Sequence, residues 1–74
     1  MQPKTLGDHI RKRRLDLGLL QREVAAQLGV SKSTLEGWER NRHPPALRHI
    51  PRVIEFLGYA PFPEPANLGE RIRL

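Results

Sequence analysis

Between Lys32 and Arg40 the chain carries an ammonium, a hydroxyl, a carboxylate and a guanidinium within a few residues. Lys32, Ser33, Glu36, Gly37 and Arg40 fall at offsets 0, 1, 4, 5 and 8, one face of a helix. Such a ridge can exchange hydrogen bonds with a partner, but it lacks a nucleophile with its base. Glu36 and Arg40 also stand at the spacing of an ordinary surface ion pair, the reading preferred for them, worth about 0.2–0.5 kcal/mol. His9, His43 and His49 are scattered, with no acid and nucleophile at a familiar spacing. No phosphate-binding glycine loop, no metal-ligand cluster and no cysteine is present. The expectation is therefore binding without catalysis, with no metal, no cofactor and no small-molecule ligand.

The charge says what kind of partner. The formal net charge is +5, and residues 1–52 hold eleven Lys and Arg against five Asp and Glu. Residues 53–74 hold two against three. A basic body with a near-neutral tail suits a polyanion, although a solvated charged surface would look similar. No apolar run approaches the roughly 20 residues that span a bilayer, and MQPKTLGDHI lacks the apolar region of a secretory signal. A soluble cytoplasmic protein with no membrane contact is expected.

The ridge needs elements to position it. Val24, Ala25 and Leu28 make one face of a helix starting at Gln21. Gly29 can turn the chain through positive φ. Val30 follows as an apolar plug, and Ser31 is a good N-cap for a second helix whose Leu35 and Trp38 face inward. The pattern is a short helix, a tight turn and a second helix with a polar outer ridge.

Upstream, Thr5 and Asp8 approximate a capping box for a helix whose inward stripe is Leu6, Ile10, the stem of Arg14, and Leu17. Gly18 ends it. The run Arg11-Lys12-Arg13-Arg14 cannot act as one patch, because a helix turns by about 100° per residue. Leu20 precedes Gln21 where a capping hydroxyl would stabilise the helix by about 1 kcal/mol. Downstream, Arg42-His43-Pro44-Pro45 reads as an extended basic connector, with 46–49 a loose turn. A further helix begins near Ile50, tolerates Pro51 in its first turn, and turns Ile50, Val53, Ile54 and Leu57 inward before Gly58. Residues 59–66 are proline-rich and read as a strap laying Tyr59 and Phe62 on the core. Residues 67–73 (NLGERIR) repeat 5–11 (TLGDHIR), so 67–74 should form a short terminal helix resembling the start of a second repeat.

The segment from Gln21 to Asn41 resembles the Cro/λ-repressor-like (XRE-type) helix-turn-helix family. The matching residues are Gln21, Ala25, Gly29, Val30, Leu35, Trp38 and Glu39, and the resemblance extends over about residues 5–58. Asn41 stands where the family usually has Gly, and Leu20 where it usually has Thr or Ser. The resemblance implies an all-α fold: a compact four- to five-helix λ-repressor-like domain over residues 1–58 with a central helix-turn-helix. It implies sequence-specific binding of double-stranded DNA by a transcriptional regulator of bacterial or phage type, reading the major groove with residues 32–40. Base-reading positions would be Lys32, Ser33, Glu36 and Gly37, with Lys32 equally suited to a phosphate. Phosphate contacts would come from Gln21, Arg22, Thr34, Arg40, Asn41 and Arg42, with Arg11 and Arg48 as weaker candidates. Arg14 and Glu39 would form a structural ion pair, and a homodimer on a two-fold site is the family habit. The alternative is a degenerate helix-turn-helix that binds protein through Leu20 and the YAPFP segment.

Overall fold

The structure, a computed structural model, describes residues 3–61; the expected terminal helix, Phe62 and most of the proline-rich segment lie outside them. Among the described residues the order is α1 (Leu6–Leu17), α2 (Gln21–Leu28), α3 (Lys32–Glu39), a 3₁₀ turn (Leu47–His49) and α4 (Ile50–Leu57), with no strand. The expected loose turn at 46–49 is thus one turn of 3₁₀ helix.

Each start and stop has a local cause. The Thr5 hydroxyl accepts the Asp8 amide at 3.0 Å, while the Asp8 carboxylate accepts from the Thr5 amide. The Ser31 hydroxyl accepts the Thr34 amide at 3.1 Å. Leu20 has no acceptor to offer α2, but Glu23 reaches back to the Leu20 amide at 2.7 Å, so half of a capping box survives. At the C-terminal ends of α1, α2 and α3, Gly18, Gly29 and Asn41 have φ of 70°, 72° and 60°. The next amides, of Leu19, Val30 and Arg42, bond back to the carbonyls of Arg14, Ala25 and Gly37. These bonds satisfy carbonyls the helices would otherwise leave open and fold each chain end over its own helix.

The core is Ile10, Val24, Ala25, Leu28, Leu35, Trp38, Val53 and Leu57, with Leu6, Leu19, Val30 and Phe56 packed at its edge. Leu17, expected on the inward stripe of α1, is 47% exposed. The turn at Gly18 sends Leu19 back over the helix end, and Leu19 rather than Leu17 meets the core there. Tyr59 is also 47% exposed and does not lie on the core; its hydroxyl meets His9 Nδ1 on α1 at 2.8 Å. A phenol needs a hydrogen-bond partner, and the imidazole at the surface supplies one that the apolar core cannot.

One contact sets how closely α1 and α3 approach. Gly7 is buried, and a Cβ built there would collide with the carbonyl of Trp38. Glycine inside a helix costs about 1 kcal/mol against alanine. Here it admits the α3 backbone against α1 and carries Asn41 to the start of α1. Asn41 Nδ2 donates to Asp8 Oδ1 at 3.0 Å, and the Thr5 hydroxyl donates to Asn41 Oδ1 at 2.6 Å.

Candidate nucleic-acid interface

The N-terminal half of α3 projects from the body. Lys32 and Ser33 are exposed, on the face of α3 opposite the buried Leu35 and Trp38. Thr34 is half-buried and its hydroxyl accepts from Ser31 at 2.9 Å, so it serves the cap. Glu36 and Arg40 pair at 3.1 Å along the ridge. Each is therefore engaged in the resting structure, whereas no side-chain hydrogen bond holds Lys32 or Ser33 among the described residues.

Gly37 is not the open notch that a missing side chain suggests. It is buried, and the His43 ring lies across it: a Cβ on Gly37 would meet that ring, with Cε1 at 3.0 Å and Cδ2 at 3.1 Å. At Gly37, expected among the base-reading positions, the connector folds back and places another residue's side chain. Asn41 is engaged within the fold as well. Its amide, expected at a phosphate, is bound to Asp8 and Thr5, so its side chain clamps α3 to α1. Hydrogen bonds hold the Asp8 carboxyl below its ordinary value of 3.8: the bond from Asn41 is the largest cause, followed by the Lys4 amide and then by Thr5. Arg42 is exposed beside the clamp.

Behind the ridge lies a buried ion pair. Arg14 Nε and Nη2 donate to Glu39 Oε2 and Oε1 at 2.8 and 2.9 Å, and Nη1 donates to the Leu19 carbonyl at 3.1 Å. The Glu39 side chain is 2% exposed and that of Arg14 13%. Glu39 also accepts from Gln21 Nε2 at 3.2 Å, joining α2 to the pair. The Glu39 hydrogen bonds raise the Arg14 guanidinium above its ordinary range. Gln21, expected at a phosphate, thus spends one N–H of its side-chain amide on Glu39, and its backbone N–H has no partner within α2.

Between α1, the start of α2 and α3 runs an open cleft of about 600 Å³ lined by Arg11, Leu20, Gln21, Arg22, Lys32 and Arg40 among others. The first amides of a helix have no partner within it. Leu20 supplies no side-chain acceptor, so the amides of Gln21 and Arg22 add donors at the positive end of α2. Arg11 enters this cleft by elimination within its run. Lys12 is tied to Asp16 at 2.8 Å, Arg13 to the Phe56 carbonyl at 3.1 Å and Arg14 to Glu39. The histidines stay apart: His9 on Tyr59, His43 on Gly37, and His49 against the Trp38 ring at 5.4 Å between centroids. No group of three or more potential metal ligands occurs among the described residues. No helix there is long and apolar enough to cross a membrane.

Sequence reasoning overlooked Gly7, the Asp8–Asn41–Thr5 clamp and the placement of His43. A glycine inside a helical pattern is itself a sign of close approach, and both Gly7 and Gly37 carry that sign. Nothing at the spacing of Asp8 and Asn41 marks them as partners.

A helix-turn-helix family model matches residues 10–62. An HTH-type transcriptional regulator of Methanothermobacter thermautotrophicus is 39% identical over 49 residues, which are 66% of this chain and 71% of that one. Among solved structures, the P22 c2 repressor in complex with a synthetic operator superimposes with a TM-score of 0.71 at 28% identity, covering 78% of this chain and 88% of the repressor chain. The solution structure of the DNA-binding domain of the P22 c2 repressor gives 0.69 at 28% identity, covering 82% and 80%. With the buried Arg14–Glu39 pair behind a capped outer helix, a family model matched over residues 10–62 and a fold shared with the P22 c2 repressor, the chain belongs to the Cro/λ-repressor-like helix-turn-helix family.

Proposed function

We propose that the chain binds double-stranded DNA in a sequence-specific way and acts as a transcriptional regulator. The observation that carries this reading is the adjacency of two features on one side of the molecule. The ridge of α3 offers Lys32 and Ser33 uncommitted, and beside it the cleft gathers Arg11, Arg22 and Arg40 around the start of α2. A major groove admits one helix, and the flanking backbone presents phosphates to the groups beside it. In this reading Lys32 donates to guanine O6 or N7, Ser33 donates or accepts, and Arg11, Arg22, Arg42 and the first amides of α2 hold phosphates. Arg40 joins them by exchanging Glu36 for a phosphate. The protein works without catalysis, in the cytoplasm where its DNA lies, and as a homodimer on a two-fold operator.

A reading as a protein-binding module would rest on Leu20, at 49% exposure, and on Tyr59, which is 47% exposed but engaged by His9. Single exposed leucines are common on monomers, and this one is bordered by the cations of the cleft. Selection of bound duplexes from a random pool, followed by salt titration, tests the proposal. With five or six phosphates neutralised, log K should fall against log salt with a slope near about −5. Sedimentation of the complex should count two chains per site. Binding to every duplex alike, or none, would sink the sequence-specific reading.

A further inference from the structure

We propose that His43 is a DNA-reading residue: its imidazole stands on the α3 ridge where the side chain of residue 37 would be, and donates there to N7 of a purine. The inference rests on the DNA-binding reading above and deepens it.

Residue 37 lies one turn beyond Ser33 on the outer ridge, the position from which a groove-reading helix would extend its next contact. A glycine there offers no group to a base, and it costs about 1 kcal/mol against alanine. The room it leaves is taken by His43. A Cβ on Gly37 would have the ring's Cε1 at 3.0 Å and Cδ2 at 3.1 Å, with Nε2 nearer still. His43 is nevertheless exposed as a residue. No hydrogen bond among those of the described residues involves it, so its polar atoms are not committed elsewhere in the fold.

The backbone, not the side chain, brings the ring to this place. Arg42 N–H bonds to the Gly37 carbonyl at 2.9 Å and Asn41 N–H to the Trp38 carbonyl at 3.1 Å. Asn41 takes φ of 60° and is clamped through its amide to Asp8. Immediately after His43 come Pro44 and Pro45, of which Pro45 is buried. The backbone on either side of the residue is therefore held before any partner arrives, so less chain freedom remains to be lost on binding. A neutral imidazole has one N–H and one lone pair, and a charged one has two N–H groups. Either form can donate to N7, the acceptor that guanine and adenine share in the major groove.

The test uses the duplex selected with the full chain. At one purine position of that duplex, His43→Ala should lose about tenfold in affinity, within the range of a single base contact. On duplexes carrying a pyrimidine there it should match the wild type, with an unchanged salt slope. Gly37→Ala, which displaces the ring, should give the same loss, and the double variant should be no worse than either. Replacing that purine by its 7-deaza analogue removes only the acceptor. It should weaken the wild type about tenfold and leave His43→Ala unaffected. Equal response of both proteins to the 7-deaza duplex, or a uniform loss across all duplexes, would overturn the role of His43 alone. Failure of the wild type to bind any duplex would overturn it together with the DNA-binding reading.

Discussion

The two sides of α3 are built on opposite rules. On the inner side the buried Glu39 carboxylate has its partners in Arg14 and Gln21, and at the rim the exposed Asn41 holds Asp8 and Thr5. Among the described residues no buried side-chain nitrogen or oxygen lacks a hydrogen bond. On the outer side Lys32 and Ser33 have no side-chain partner, and Arg40 holds Glu36 only as a half-exposed surface pair. The same eight-residue helix is thus fixed in orientation by its back and kept available at its front. The reason is solvation: a buried charge must be paired, whereas water can stand in for an absent partner at the surface until one arrives. The Arg11–Arg14 run shows the division within four residues, since Arg14 and Arg13 are engaged in part-buried bonds, Lys12 holds Asp16 only as a surface pair, and Arg11 is left to the cleft.

The comparison breaks most sharply at Glu39. Glu39→Leu leaves Arg14 without its carboxylate in a nearly closed site, and should cost about 3–5 kcal/mol in urea unfolding. Replacing Arg14 by Met in the same chain should recover most of that loss, because the cost lies in the stranded charge. Equal instability of the single and double variants would mean that the pair is not closed off from water.

Gly7→Ala should come next, with about 3 kcal/mol lost, the upper range for forcing an atom into a closed contact. The obstacle is backbone, the Trp38 carbonyl, which cannot swing aside as a side chain would. A thermal melt reads the effect. An unperturbed melt would show that α1 and α3 are free to separate, and that the inner side is less rigid than the structure implies.

The outer side responds in binding and not in folding. Lys32→Ala should change the preference at one base pair by about 1–3 kcal/mol, while Arg42→Ala should weaken all duplexes alike and flatten the salt slope by about one. Neither should move the melting temperature appreciably. Identical behaviour of the two variants across a panel of duplexes would remove the distinction between reading and positioning residues.

Leu20→Ser is expected to stabilise by about 1 kcal/mol, supplying the hydroxyl that α2 lacks. The backbone there already has the cap conformation, with φ of −84° and ψ of 156°, so the Ser hydroxyl can bond without rearrangement. The smallest effect concerns Asp8. Its folded carboxyl titrates below the ordinary 3.8, so its contribution is present above that value and is lost as pH falls through the lower folded value. An acid titration of Asp8→Asn against the wild type should therefore converge at the acidic end. A difference that persisted unchanged once the Asp8 carboxyl has been protonated would show that the bond from Asn41 does not depend on the charge.

Much of this molecule was legible before folding. The 3.6-residue spacing of Ile10, Val24, Leu28, Leu35, Trp38, Val53 and Leu57 marks the core, because only a repeated apolar face can be buried by a helix. The stops at Gly18, Gly29 and Asn41 and the start at Ser31 were equally plain, since capping is decided by one residue and its immediate neighbours. What the tertiary structure alone decided are contacts between residues far apart in the chain. Leu19 took the place expected for Leu17 because the turn at Gly18 redirects the backbone. Tyr59 found His9, 50 residues away, and not the apolar core. Asn41 found Asp8, 33 residues away, and Gly37 received a ring from the connector. Periodicity reports which way a side chain faces relative to its own helix, and it carries no information about which other side chain folds over that face. The distance between α1 and α3, set by the missing Cβ of Gly7, makes those meetings possible.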